Sequence, residues 1–228
     1  NISGHPLISY SIEAAKNSKF INDLVVSTDD KNIATVAKRY GAKIPFIRSK
    51  NLAQDKTPSV DALYDCVLKT ENFYKKKYDY VVELPCVSPL RDHNDIDEAL
   101  NILIKQKHDS VISYVNTGEK HPTRLKRINN NKATNFCKDY PEPDVGSRRQ
   151  DFEACYIRNG AIYLTKVSDL KSTGLIRGGK VGGMIMPEAN SINIDEHIDY
   201  IVAKESLDYA AFSKDLSFFK PLTNLKMT

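Results

Sequence analysis

Apolar residues recur along the chain in two alternating rhythms, one at helical spacing and one as short continuous runs. Between Pro6 and Asn17, the positions Leu7, Ile8, Ile12 and Ala15 fall on one stripe, so this segment is expected to be an amphipathic helix. Asp23–Ser27 (DLVVS) is a short apolar run that stops at Thr28-Asp29-Asp30 and reads as a strand. Asp30–Tyr40 returns to helical spacing and closes at Gly41, a residue suited to a left-handed cap; Lys43–Ile47 reads as a further short strand. Thr57-Pro58-Ser59 signals the start of a long helix over Ser59–Tyr74. Tyr80–Leu84 is a buried-type strand broken by Pro85. Asp92–Lys107 is a helix with Ile96, Ala99, Leu100 and Leu103 on its apolar face, and Ser110–Val115 is another strand. Strands alternating with helices of this length predict βαβ units and a mainly parallel sheet. In such sheets ligands bind where the strands end, so the exits at Ser27–Asp30, at Pro85–Pro89 and beyond Val115 are the places to look for chemistry.

From Asn116 to Phe152 the rhythm stops. This stretch is rich in Asn, Lys, Arg and Pro, and it reads as either a small β-rich insertion or a mobile arm. Strand patterns resume at Asn159–Leu164 (NGAIYL) and at Lys180–Met186, the latter weakened by Gly182 and Gly183. A helix is expected over His197–Phe212.

Composition narrows the class. The 228 residues suffice for one α/β domain, 41% are hydrophobic and 27% charged, and no apolar run is long enough to cross a bilayer. Thirty-three basic residues face 29 acidic ones, an excess too small to argue for a nucleic-acid partner. Lys75-Lys76-Lys77 reads as a solvated helix end. The four cysteines, Cys66, Cys86, Cys137 and Cys155, form no CxxC pair and have no histidine at zinc-ligand spacing. They point to a reduced, cytoplasmic protein, with Cys66 a small residue on the apolar face of its helix.

Three segments carry candidate chemistry. In SINIDEHIDY, Asp195 falls at the end of an extended segment where a helix begins; the pattern by itself favours an N-cap, with a carboxylate for Mg²⁺ alongside nucleotide phosphates as the alternative. Arg148-Arg149-Gln150-Asp151 offers adjacent guanidinium groups for an anion, or a solvated loop. Downstream, Asn159 and Tyr163 are four apart and so share a face of a regular strand. Arg48–Ser59 (RSKNLAQDKTPS) runs from a strand into a helix start, where backbone N–H groups and a hydroxyl can recognise a base or an anion. The five histidines are scattered and supply no general base; His121 is expected in an exposed structural role.

GHPLISYSIEAA, VVSTDD, LAQDKTPS, SPLR, RRQ with NGAIY, and INIDEHID occur in the order found in acylneuraminate cytidylyltransferases. From Gly4 to about Ser206 the chain resembles that family of CMP-sialic acid and CMP-legionaminic acid synthetases. The resemblance implies a Rossmann-like α/β nucleotidyltransferase fold, its mainly parallel sheet flanked by helices, with 116–152 as a dimerisation insert within a single domain over 1–228. It implies a homodimer that joins CTP to a sialic-acid-type sugar acid, releasing pyrophosphate, with Mg²⁺ as cofactor. By similarity Arg48 and Ser59 contact the cytidine. Arg124, Arg149, Gln150 and Tyr163 line the sugar pocket, which Asn159 helps to shape, and Asp195 is a catalytic metal carboxylate. Three departures stand out. Asn193 occupies the place of the family's second metal aspartate, so its uncharged amide oxygen is the expected second Mg²⁺ ligand in a weaker site; Pro85 replaces a Gln near the sugar, and the chain begins just after the apolar strand and basic loop that grip the CTP triphosphate. That central strand and phosphate loop are therefore expected to lie outside these residues. Two other readings remain open at this stage, transfer of another nucleotide to another sugar and a non-catalytic binding or assembly module.

Overall fold

The computed structural model describes residues 1–143, 148 and 151–215. Six helices are formed, α1 (Leu7–Asn17), α2 (Lys31–Arg39), α3 (Ser59–Tyr74), α4 (His93–Lys105), α5 (Val167–Thr173) and α6 (His197–Asp215). Six strands accompany them, β1 (Tyr80–Glu83), β2 (Ser110–Asn116), β3 (Lys126–Asn129), β4 (Lys132–Asn135), β5 (Tyr156–Lys166) and β6 (Val181–Ile185). Local signals set most helix ends. The Asp30 carboxylate accepts from the Asn32 and Ile33 amides and starts α2, while Asp92 and Asp95 close a reciprocal capping box on α4. Gly41 takes a φ of +98° just beyond α2, as its place after the helical pattern requires.

The main sheet runs β1-β5-β2-β6. Its pairing corrects the expectation of a mainly parallel sheet. β6 lies parallel to β2, but β5 sits between β1 and β2 and is antiparallel to both. The cause is the excursion after Asn116. It leaves from the C-terminal end of β2 and returns to that same end, so β5 must run back alongside the strand it followed. The excursion itself is β-structured. β3 and β4 form a hairpin whose two-residue turn, Asn130-Asn131, has φ of 47° and 61°, the left-handed geometry of a tight hairpin that asparagine tolerates.

The two early strands are reduced. The backbones of Asp23–Ser27 and Lys43–Ile47 pair through a parallel bridge between Val25 and Lys43, with Lys43 N–H donating to Leu24 O and Val26 N–H to Lys43 O. Between this bridge and β1 runs a groove of about 860 Å³, lined by apolar residues including Ile12, Leu24, Val26, Val67, Val82 and Leu164. β1 pairs with β5 and is an edge of the sheet, so the two segments face one another across the groove rather than joining into one ladder. The main core adjoins the groove and shares Leu100 and Leu164 with it. Ile96, Ala99, Leu100 and Leu103 of α4 pack on Val111, Ile162, Leu164 and Met184 of the sheet, each such burial contributing about 1.5–3 kcal/mol for a large aliphatic side chain.

Lys75-Lys76-Lys77 is more than a solvated end. Lys75 closes α3 in the left-handed region, while Lys76 reaches Asp23 and Lys77 reaches Glu71, two carboxylates whose side chains are each 4% exposed. No helix among the described residues is long and apolar enough to cross a membrane.

Candidate functional site

Two strand exits converge through the loop that follows β1. Pro85 ends the strand, and the next residues turn back so that Ser88 is fully buried. Its hydroxyl faces Asn193 Oδ1 at 3.1 Å and Gly160 O at 3.4 Å. The Ile194 N–H donates to Val87 O at 2.8 Å, which pins the segment carrying Asn193 and Asp195 against this loop. Arg91 locks the arrangement from below. Its guanidinium, 2% exposed, donates to Pro85 O, Ala161 O and Ser11 Oγ, tying the loop to β5 and α1. Burial pulls the Arg91 pKa down to about 10, which leaves it fully protonated at neutral pH.

β5 is bulged where it meets this loop. Ile112 pairs with Tyr163 but Tyr114 pairs with Arg158, so two residues of β2 span five of β5. An odd number of extra residues reverses the alternation of faces. Asn159 and Tyr163 therefore do not share a face, contrary to the spacing argument. Tyr163 lies instead with Arg158, whose guanidinium carbon is 5.9 Å from the Tyr163 ring centre. Asn159 turns inward and fills its hydrogen-bonding capacity inside the protein. Its Oδ1 accepts from Ser113 Oγ and the Ala161 N–H, and its Nδ2 donates to Ser191 Oγ and contacts Met186 Sδ. Asn159 thus shapes the site by bolting β5 to β2 and to the turn at Ser191. Gly160 adopts a φ of +73°, and a Cβ there would stand 3.3 Å from Asn193 Oδ1, so glycine is needed both for the backbone and for the close approach.

Asp195 does not cap α6. The N–H groups of Asp195 and Glu196 are taken by Asp199 Oδ2, at 3.1 and 2.8 Å. The Asp195 carboxylate is exposed, and its Oδ2 accepts from Asn193 Nδ2 at 2.6 Å. A single exposed carboxylate suits Mg²⁺, which binds through one or two carboxylates plus substrate phosphates. It does not make a closed cage; among the described residues no group of three His, Cys, Asp or Glu is placed to hold a metal.

Arg48 and Ser59 line the mouth of the apolar groove together with Ser27 and Cys86. Arg48 Nε and Ser27 Oγ are buried there with no hydrogen-bond partner among the described residues, so two polar atoms at this mouth are left for a ligand. Cys86 belongs to the same loop as Ser88, so this mouth and the Asn193–Asp195 pair adjoin through residues 85–88. Arg124 lies on the stem of the 116–152 excursion and is paired with Glu119. Arg149 and Gln150 lie outside the described residues. His121 is buried rather than exposed. One ring nitrogen faces Thr123 and the other Glu153 O, and the ring stacks on Phe152 at 4.9 Å, clasping the outgoing and returning stems of the excursion.

The sequence pattern assigns no role to Ser88 or Arg91, the first and last residues of SPLR. The available signal was an arginine just past a strand-breaking proline, ahead of the Asp92 cap.

A family model described as cytidylyltransferase matches residues 1–167. Over 198 residues the chain is 30% identical to the CMP-N,N'-diacetyllegionaminic acid synthase of Campylobacter jejuni, covering 87% of this chain and 82% of that protein. Over 163 residues it is 35% identical to the pseudaminic acid cytidylyltransferase of Campylobacter jejuni, covering 70% and 67%. Among solved structures, CMP:2-keto-3-deoxy-manno-octonic acid synthetase in complex with CTP superposes with a TM-score of 0.60 at 14% identity, over 93% of this chain and 90% of that one, a likeness of fold.

Proposed function

The chain belongs to the cytidylyltransferase family, and from that premise we propose that it transfers CMP from CTP to a nonulosonic, sialic-acid-type sugar acid. The observation that carries the reading is the adjacency of two subsites through the 85–88 loop. One is the groove mouth, with Arg48, Ser59 and the unpartnered Arg48 Nε and Ser27 Oγ; the other is the exposed Asp195 carboxylate. Arg48 and Ser59 hold the cytidine. The sugar acid lies on the side of β5 and the excursion, with Arg149 and Arg124 available to its carboxylate and Tyr163 and Gln150 along its ring. The anomeric hydroxyl attacks the α-phosphorus and pyrophosphate leaves. The protein contributes positioning and fixed charge, as is general for phosphoryl and nucleotidyl transfer. Asp195 would hold Mg²⁺ there, and the ion would supply charge neutralisation on the phosphates.

The apolar groove between Leu24–Val26 and β1 suits one further extended apolar strand, with unpaired backbone on both flanks to receive it. A basic loop at the end of such a strand would reach the groove mouth, where the triphosphate is needed. We place the reaction in the cytoplasm, in keeping with four unpaired cysteines. The enzyme acts as a homodimer joined through the 116–152 excursion.

The test is a pyrophosphate-release assay on full-length protein with each nucleoside triphosphate in turn, against a panel of nonulosonic acids. CTP should be required, and Asp195→Ala should abolish turnover while leaving thermal unfolding unchanged. Turnover with another nucleotide in preference to CTP, or undiminished activity in excess chelator, would overturn the corresponding part of the reading.

A further inference from the structure

Asn193 stands between Ser88 and Asp195, and both ends of its amide are committed. Oδ1 accepts from the fully buried Ser88 hydroxyl at 3.1 Å, and Nδ2 donates to Asp195 Oδ2 at 2.6 Å. The Asp195 carboxylate sets this orientation, because the Ser88 hydroxyl can donate or accept whereas a carboxylate only accepts. Turned over, the amide would set its own oxygen against a carboxylate oxygen at that same short distance, and like partial charges repel. Gly160 closes the third side, its missing Cβ leaving just enough room for the Asn193 amide. Ser88 is held in turn by the loop that Arg91 staples to β5 and α1.

An asparagine held this way offers Asp195 a donor. A divalent cation needs acceptors. We propose that Asn193 is a positioning residue that aims Asp195, anchored by Ser88, and is not a ligand. It follows that the divalent cation enters with the CTP phosphates instead of residing on the nucleotide-free protein. The inference rests on reading Asp195 as the metal carboxylate, and it adds which of its neighbours bind and in what order. One carboxylate contributes too little charge to keep a divalent ion against hydration, whereas a triphosphate brings several anionic oxygens with it.

The experiment is titration of Mn²⁺ into full-length protein, followed by the electron paramagnetic resonance of the free ion, first without nucleotide and then with CTP. Wild type and Asn193→Ala should leave Mn²⁺ free until CTP is added. Asn193→Asp should bind it without CTP, about tenfold or more tightly than wild type, because a second carboxylate replaces the amide donor. Mn²⁺ bound by nucleotide-free wild type and lost in Asn193→Ala would mean that the amide oxygen is a ligand, and would overturn the proposal. The anchor has its own readout. Ser88→Ala should lower kcat about tenfold with little change in the KM for CTP, and should add nothing further in the Asn193→Ala background, since both act along one path. Additive losses would sink the Ser88–Asn193–Asp195 linkage. CTP alone also binds Mn²⁺, so the readout is uptake in excess of a protein-free CTP control; an unchanged excess in Asp195→Ala would instead refute the metal reading of Asp195, a result distinct from either of these.

Discussion

At the scale of the residue, the site depends on a glycine that no catalytic reading singles out. Gly160 combines a φ of +73° with the approach of Asn193, whose Oδ1 would lie 3.3 Å from an added Cβ. Gly160→Ala should therefore cost about 1–2 kcal/mol for the left-handed backbone alone. It should also push Asn193 off its line to Asp195. We expect a lower denaturation midpoint in urea together with a fall in kcat that exceeds the loss of folded protein. A variant with lowered stability but unchanged kcat would separate the backbone effect from the site and remove Gly160 from it. Asn159, next to it, is the opposite case. Its amide is spent on Ser113, Ala161 and Ser191, so it acts through the shape of the bulge and has no polar group left for substrate.

At the scale of the element, the end of α3 is clasped to the Asn22–Leu24 segment by charge. The Asp23 side chain is almost fully buried and takes hydrogen bonds from Lys43, Lys76 and Tyr78. Burial by itself raises its carboxyl, but those donors outweigh it and hold the pKa well below the usual carboxylate range. Glu71, beside Lys171 and Lys77, is lowered against its own burial in the same way. For both groups the folded value lies below the unfolded one, near 4. Their stabilisation is therefore complete above about pH 4 and is lost as pH falls from there toward the folded values. Glu83 and Asp95, raised by burial, act with the opposite sign and recover stability as they protonate. Asp23→Asn should lose about 3 kcal/mol at pH 7, with the deficit shrinking as pH falls below about 4. Urea unfolding of both proteins between pH 7 and pH 3 checks this; a deficit independent of pH would mean that packing, not charge, accounts for the clasp.

At the scale of the whole molecule, the 116–152 excursion leaves apolar surface uncovered. Ile128 and Phe136 on the β3–β4 hairpin are 61% and 54% exposed, and Ile157 at the start of β5 is 54% exposed. Large exposed apolar groups on the hairpin segment and at the start of β5 suit an interaction surface. We expect a two-fold dimer formed through this hairpin, and Phe136→Asp should shift full-length protein toward monomer in sedimentation. Arg124 sits on the same stem, where its side chain pairs with Glu119. Mixing Arg124→Ala with Asp195→Ala protein should then restore part of the activity, since one site of a mixed dimer keeps both residues. No recovery under conditions of demonstrated subunit exchange would place Arg124 in its own chain's site.

What the residues determined without the fold is what neighbours along the chain decide. Periodicity placed α3 at Ser59–Tyr74 and located β1, β2, β5 and β6, and Asp30 and Asp92 marked helix starts, because propensity, capping and apolar spacing act over a few positions. The quoted motifs likewise marked the Asp195 segment and the Arg48–Ser59 loop. Only the tertiary structure decided the rest. It put β5 antiparallel between β1 and β2, and reversed the faces of Asn159 and Tyr163 through an odd bulge. It made Asp199 the acceptor for the Asp195 and Glu196 N–H groups just ahead of α6, gave Lys76 and Lys77 buried partners, and turned the Asn193 amide toward Asp195. Each of these depends on which groups meet across dozens of residues. A strand's direction is set by where the chain returns, and a buried polar atom's role by which partner satisfies it, and neither is encoded in local spacing.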